Sequence, residues 1–385
     1  MKTSTPAAPG PSAAPAPPAP APAPKWAADP ATTLAGWRAT VRAPSPTPPA
    51  LEPLTGAESG EVLSEEEELL RERHPRVRYH ADLGLIRTSD IQDGERKARR
   101  LLHDYAGKPG PYIAIDSDYR GTGKRTLLHH IGIQHQQQRE ARHGIDDDRI
   151  PVVCINVPPL PDTPADWSAA LASFLGWDLY RPDTDNRPVQ RMKDFTGPAV
   201  HILRTRQAEV CLVDGIDRLR AEDVQPTFDF FDYLADELRM TILISGLGAS
   251  DILREALTAR APALRRDSDR SPLRPRPVPT LWVNRLPAPS PEHPEEWART
   301  LVSFDDKLRL CHHRPKSLLE IGETLYRITD GLMELLCPLL SMAAQAAIID
   351  GTEAITEKGV RQAADYLDIV LPDDTAASGS ALPEQ

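Results

Sequence analysis

Four short runs of apolar and β-branched residues punctuate the middle of the chain, at Tyr112–Ile115, Val152–Val157, Val210–Val213 and Thr241–Ser245, and a weaker fifth follows at Thr280–Val283. Runs of this length without polar alternation read as strands buried on both faces, the mark of a parallel sheet. Between them the apolar positions recur at helical spacing: Thr126 to about Arg142, Ala165–Leu175, a stretch near Gly197–Gln207, and Thr227–Leu238. Strand and helix in alternation predict a doubly wound α/β domain with five parallel strands, in which ligands sit at the carboxyl ends of the strands. After Pro294 the pattern is helical only, at Glu295–Leu310, Lys316–Ile328, Leu332–Ile349 and Glu357–Leu367. It predicts a small all-α lid.

Upstream of the first strand, Ser89 and Gln92 have the spacing of a capping box ahead of a helix from about Asp90 to Tyr105, and the charged string EEEELLRER near Glu65 starts the ordered region. Residues 1–58 are dominated by Pro and Ala, too poor in apolar surface to offset the entropy of ordering, so a mobile arm is expected. Within it Leu34, Trp37 and Val41 fall at helical spacing, with Trp26 further upstream. They are either a short apolar face for a partner or two tryptophans in a disordered arm. The expected units are the arm 1–58, an N-terminal helical extension 59–107, the α/β core 108–287, the lid 288–371 and a disordered tail 372–385.

Composition narrows the function classes. Forty prolines and 5% aromatics in 385 residues make the folded part smaller than the chain. A net charge of −11 excludes coating of nucleic acid through a global field, so any DNA contact must be local. The candidate is the arginine-rich stretch 254–276 with Arg254, Arg260, Arg265, Arg266, Arg270, Arg274 and Arg276, read either as a phosphate-facing surface or as a solvated charge run. Cys154 and Cys211 lie inside apolar runs and read as reduced core residues. Cys311, His312, His313 and Cys337 lack the paired spacing of a zinc site. No run approaches a membrane span and the N-terminus lacks a signal-peptide pattern, so a soluble cytoplasmic protein is expected.

The most informative chemistry lies in PYIAIDSDYRGTGKRTLL, from Pro111 to Leu128, where a strand breaks into a glycine loop and a helix follows. This is the setting of a phosphate-binding loop of the form G-x-x-x-x-G-K-[ST], in which backbone amides and the helix N-terminus surround phosphates, the lysine neutralises them and the hydroxyl holds magnesium. Gly121, Thr122, Gly123, Lys124 and Thr126 are the candidate nucleotide ligands. The first glycine is replaced by Asp118, whose carboxylate would repel a polyphosphate. The hydroxyl position is Arg125; Thr126, one residue on, is rotated by about 100° and does not replace it. Some ninety residues later the third strand ends in Asp214, the expected magnesium-directed acid. The next residue is Gly215, where a hydrolase carries a glutamate to activate water, and Asp217 is the nearby acid left for that work. Ser245 ends the fourth strand, placed to sense a γ-phosphate or simply to cap the strand. Weak binding of ATP and magnesium with little or no hydrolysis is the expectation. The rival readings are a scaffold without nucleotide and a hydrolase using Asp217.

The chain resembles the TniB-type transposition helper ATPases of the AAA+ class, in particular their actinobacterial branch, from about Arg76 to Leu367. The resemblance is carried by RYHADLGLIRT, RGTGKRTLL, PVVCINVPP, VDGID, LRLCHHRPKSL, TDGLMELLCPLL and AAIIDGTEAIT. It implies an AAA+ P-loop core with a helical lid closing over ATP, self-assembly on DNA and recruitment of a DDE-type transposase. It also implies that Gly123 and Lys124 grip phosphate, Asp214 addresses magnesium, Ser245 fills the sensor place and Arg276 acts as an arginine finger. The departures at Asp118, Arg125 and Gly215 all fall on the chemistry, pointing to a regulatory or assembly role.

Overall fold

The computed structural model describes residues 29–44, 46–52, 67, 71–158, 164–177, 194–259, 278–289 and 294–369. Strands β1 (Tyr112–Asp116), β2 (Val152–Asn156), β3 (Val210–Asp214), β4 (Thr241–Ser245) and β5 (Thr280–Trp282) form one parallel sheet in the order β2-β3-β4-β1-β5. Every residue of β1, β3 and β4 is buried, as unbroken apolar runs require. Among the described residues twelve α-helices accompany the sheet. Helices α1 (Leu34–Arg42), α2 (Pro75–Ala81) and α3 (Ser89–Tyr105) precede β1, and α4 (Lys124–His143) links β1 to β2. The remaining crossovers are α5 (Pro164–Phe174), α6 (Thr196–Thr205), α7 (Ala221–Leu238) and α8 (Ala249–Ala259). The β1-to-β2 crossover runs along the sheet opposite to the later ones, so right-handed connection puts α4 on one face and α5 to α8 on the other.

The lid comprises α9 (Pro294–Asp305), a 3-10 turn at Ser317–Leu319, α10 (Gly322–Thr329), α11 (Met333–Ile349) and α12 (Glu357–Tyr366). It has its own apolar core, with Trp297, Leu301, Phe304, Leu325, Leu336 and Leu340 among its buried side chains. The architecture is the expected one: an α/β P-loop core with a five-stranded parallel sheet, followed by a small all-α domain. Among the described residues no helix is long and apolar enough to cross a membrane.

Several details differ from the sequence reading. The cap of α3 is Thr88, whose hydroxyl accepts from Ile91 N–H; Ser89 is the first helical residue and bonds to Glu296 of the lid. Helix α7 starts at Ala221 and carries Pro226 inside it, which is why the pattern placed its start only at Thr227. The helices on either side of the second connection divide between two cores: Val77 of α2 and Ile86 pack into the lid, whereas Ile91, Ala98 and Leu102 of α3 pack into the α/β core.

The largest departure concerns the arm. Asp29 caps a 3-10 turn at Pro30–Thr32, Thr33 caps α1, and Trp37 and Val41 are buried in the core of the same chain. Trp37 Nε1 donates to Gln136 Oε1 at 2.7 Å, and its ring meets His129 edge to face. A Cβ at Gly132 would lie 2.4 Å from Leu212 Cδ1 of β3 and 2.9 Å from the indole, so only glycine leaves room there for both side chains. The face read as an offer to a partner is therefore satisfied internally. Trp26, Glu65 and the tail 372–385 lie outside the described residues, as do Arg260, Arg265, Arg266, Arg270, Arg274 and Arg276. Arg254 sits on α8, ion-paired with Asp251.

Candidate nucleotide site

The carboxyl ends of β1, β3 and β4 converge because the sheet register sets them side by side: Asp214 is paired with Ser245, and Ser245 with Ile115. Beyond β1 the chain turns through Ser117, whose hydroxyl donates to Tyr119 O at 2.9 Å and accepts from Tyr119 N–H at 3.0 Å. Thr122 Oγ1 donates to the same hydroxyl at 3.1 Å. Asp116 is fully engaged, accepting from Ser117 N–H at 2.7 Å and from Ser250 N–H at 2.9 Å. Gly121 and Gly123 adopt φ of +73° and +107°, so both need to be glycine to bring the backbone round into α4. Lys124 is the first residue of that helix, and its Nζ donates to Tyr119 O at 2.6 Å. Burial draws the ammonium below the usual lysine range, against the pull of Asp217, Asp116 and Asp214.

The loop faces a cleft of about 890 Å³ closed on its far side by the start of α11 and by the segment around Leu85 and Ile86. Lid and loop touch directly. Glu334 N–H donates to Gly121 O at 2.9 Å. A Cβ on Gly121 would stand 2.8 Å from Glu334 Cβ and closer still to its carboxylate. At the loop tip the Arg285 guanidinium lies 4.7 Å from the Tyr119 ring centroid and is ion-paired with Asp330 at the end of α10. Any ligand bound through the loop would thus bear on the lid.

All the residues read as phosphate or metal ligands, Gly121, Thr122, Gly123, Lys124, Thr126 and Asp214, line this cleft, together with Asp217 and Ser245. Arg276 lies outside the described residues. Asp118 is exposed and is not among the residues that line the cleft. Ser245 is fully buried, and its hydroxyl donates to Asp214 Oδ1. Asp217 stands 4.0 Å from Arg120 and against Gly246, whose Cβ would come within 2.7 Å of its carboxylate. Gly215 has φ +85°, and a Cβ there would meet the Arg218 side chain at 3.0 Å. The missing glutamate is thus also a backbone matter: the position after Asp214 is left-handed.

The donor set fits phosphate and does not fit magnesium. Phosphate would find the amides of a glycine turn, a helix N-terminus and an ammonium with two donors beyond the one given to Tyr119 O. Magnesium demands an octahedron of oxygens. Asp214, the acid expected to address it, has one oxygen bonded to Ser245 and the other facing Arg125 Nη1 at 3.6 Å. Arg125 Nη2 is also ion-paired with Asp29. Burial raises the Asp29 carboxyl, but the Ala31 N–H and the Arg125 guanidinium outweigh it and hold it below the usual range. Sequence reasoning missed Asp29, Asp116 and Glu334 as parts of this site. Asp116, an acid ending an apolar strand as Asp214 does, was legible by that signal; the other two reach the site only through the fold.

No protein-family model matches the chain, and no curated protein matches it by sequence. Among solved structures, the ORC2 protein of Aeropyrum pernix, determined as ADPNP and ADP complexes, aligns over 79% of this chain and 75% of that one, at 14% identity and a TM-score of 0.49. The Drosophila ORC bound to DNA aligns over 90% of this chain and 75% of that one, at 14% identity and a TM-score of 0.45. The Holliday junction branch migration motor RuvB of Thermotoga maritima aligns over 72% and 70%, at 13% identity and a TM-score of 0.41. Similarity of this degree adds nothing about activity, so any functional reading rests on the loop, the cleft and the lid.

Proposed function

We propose that the chain is an AAA+ protein of the TniB type that holds a nucleoside triphosphate between its glycine loop and its helical lid, and that acts through assembly rather than turnover. The observation that carries this reading is the direct junction of phosphate loop and lid at Gly121 and Glu334, beside Lys124. A ligand that orders the loop also biases the lid, and that is how a bound nucleotide changes the surface offered to a second copy of the chain. Hydrolysis is no part of the proposal, because Gly215 supplies no base and its left-handed backbone does not readily accept one. The role in DNA transposition, with a DDE-type transposase as partner, DNA as a contact of the assembled form and a cytoplasmic location, is supported by the sequence resemblance alone.

The scaffold reading loses one of its two supports, since Trp37 is buried in its own core. The test is a titration of the purified full-length protein with a fluorescent ATP analogue, followed by a phosphate-release assay. Saturable binding that disappears in Lys124→Ala, without phosphate release, is expected. Absence of binding at millimolar analogue would sink the proposal, and steady phosphate release would restore the hydrolase reading with Asp217.

A further inference from the structure

We infer that Arg125 takes the place of the metal ion, so that this site binds nucleoside triphosphate without magnesium; the inference rests on the nucleotide reading above. Arg125 is the second residue of α4, beside Lys124, and lines the same cleft. Its guanidinium is held from two sides. One nitrogen is ion-paired with Asp29, brought in by the docked N-terminal segment, and another faces Asp214 Oδ2 at 3.6 Å. The second oxygen of Asp214 takes the Ser245 hydroxyl. The side chain at the usual hydroxyl position has therefore been exchanged for a cation, and the acid that would anchor a divalent ion now anchors that cation.

The chemistry of the exchange is self-consistent. A guanidinium carries a permanent charge and five donors in a planar fork suited to phosphate oxygens. With Asp29 and Asp214 engaging part of that fork, donors remain that can bond a phosphate oxygen next to those held by Lys124. A divalent ion brought up to Asp214 would instead sit within a few ångströms of the Arg125 guanidinium, at a carboxylate whose Oδ1 already accepts the Ser245 hydroxyl. Asp29 has a role here that the sequence does not disclose: it lies some ninety residues before Arg125 and fixes its side-chain direction. The segment that carries it is held by the buried Trp37 and by Arg38, which donates to Arg149 O at 3.0 Å.

The experiment measures binding of N-methylanthraniloyl ATP to the full-length protein in EDTA and in excess magnesium. The wild-type affinities are expected to agree within about threefold. Arg125→Ser, which restores the hydroxyl and removes the cation, should bind about tenfold or more weakly in EDTA than in magnesium, the scale of one lost charge-assisted hydrogen bond. Arg125→Lys, which keeps the charge, should remain indifferent to the metal. Wild-type binding that is lost in EDTA would overturn the inference while leaving the nucleotide reading intact. Absence of wild-type binding in both buffers would overturn both. If Arg125→Ser fails to fold, as judged by circular dichroism, the wild-type and Arg125→Lys titrations still decide the question.

Discussion

Arg76 and Glu353 form a buried, two-pronged ion pair at 2.6 and 2.7 Å that ties α2 to the loop between α11 and α12. Arg76 also donates to Arg309 O at 3.1 Å and to Glu52 O at 2.7 Å, while Glu353 accepts from Cys311 N–H at 3.1 Å. Burial raises the Glu353 carboxyl, but the Arg76 guanidinium and the Cys311 amide together hold it below the usual carboxylate range. Three strings that share no sequence feature, around Arg76, Leu308–Cys311 and Glu353, are joined by this pair.

Removing one partner leaves an uncompensated buried charge. Arg76→Met or Glu353→Leu should each cost about 3–5 kcal/mol, whereas the two combined should cost less than the two single changes added. Urea denaturation followed by far-ultraviolet circular dichroism measures all three. Because the folded carboxyl titrates below its unfolded value, the contribution of Glu353 is complete above about pH 4.3 and is lost as the pH falls through the folded value.

His80 gives the lid a second acid sensitivity. Its Nδ1 faces Arg76 O at 2.7 Å and its Nε2 faces Arg309 N–H at 3.0 Å, an arrangement met by the neutral ring with its proton on Nδ1. Burial keeps its protonation below the usual histidine range, with the Arg76 and Arg309 charges adding to it against the Arg76 carbonyl and the Glu353 carboxylate. The unfolded chain therefore takes up the proton first, and stability should start to fall as the pH drops below about 6.5. Thermal melts between pH 7.5 and 5.5, compared with those of His80→Gln, are expected to show a slope in the wild type that is flatter in the variant.

Trp37 offers a choice between core and partner. As a fully buried indole hydrogen-bonded to Gln136, its replacement by Ala should cost about 3–5 kcal/mol in chemical denaturation. A side chain reserved for a partner would leave the midpoint unchanged.

The two loop glycines differ in what surrounds them. Gly123→Ala meets only the backbone penalty of a positive φ, about 1–2 kcal/mol, because its Cβ would lie 3.9 Å from Val283 Cγ1. Gly121→Ala adds a clash with Glu334 at the start of α11 and should lower the melting temperature further. Differential scanning fluorimetry of the two variants checks the order.

Much of the fold could be read from periodicity. The β strands were found within a residue at either end because buried parallel strands are continuous apolar runs, and α4, α5, α11 and α12 followed from helical spacing. Spacing predicts helix α1, but the Pro/Ala composition around its single amphipathic turn predicts a mobile arm. Its partner, the groove over Gly132, exists only once α4 is folded. Helix α2 and α8 were missed: α2 is seven residues long and buries arginine and histidine, which no apolar pattern marks. Motif order predicts the convergence of Lys124, Asp214 and Asp217, which line one cleft. It does not predict the pairing of Arg125 with Asp29 and Asp214, because that depends on a segment 96 residues away in sequence.

The claim that a nucleotide is held between loop and lid is tested most directly by hydrogen–deuterium exchange of the full-length protein with and without saturating ATP. Slower exchange is expected in residues 117–128 and, together with it, in residues 331–338 at the start of α11, with neither change in Lys124→Ala. Identical exchange in both segments with and without ATP would contradict it.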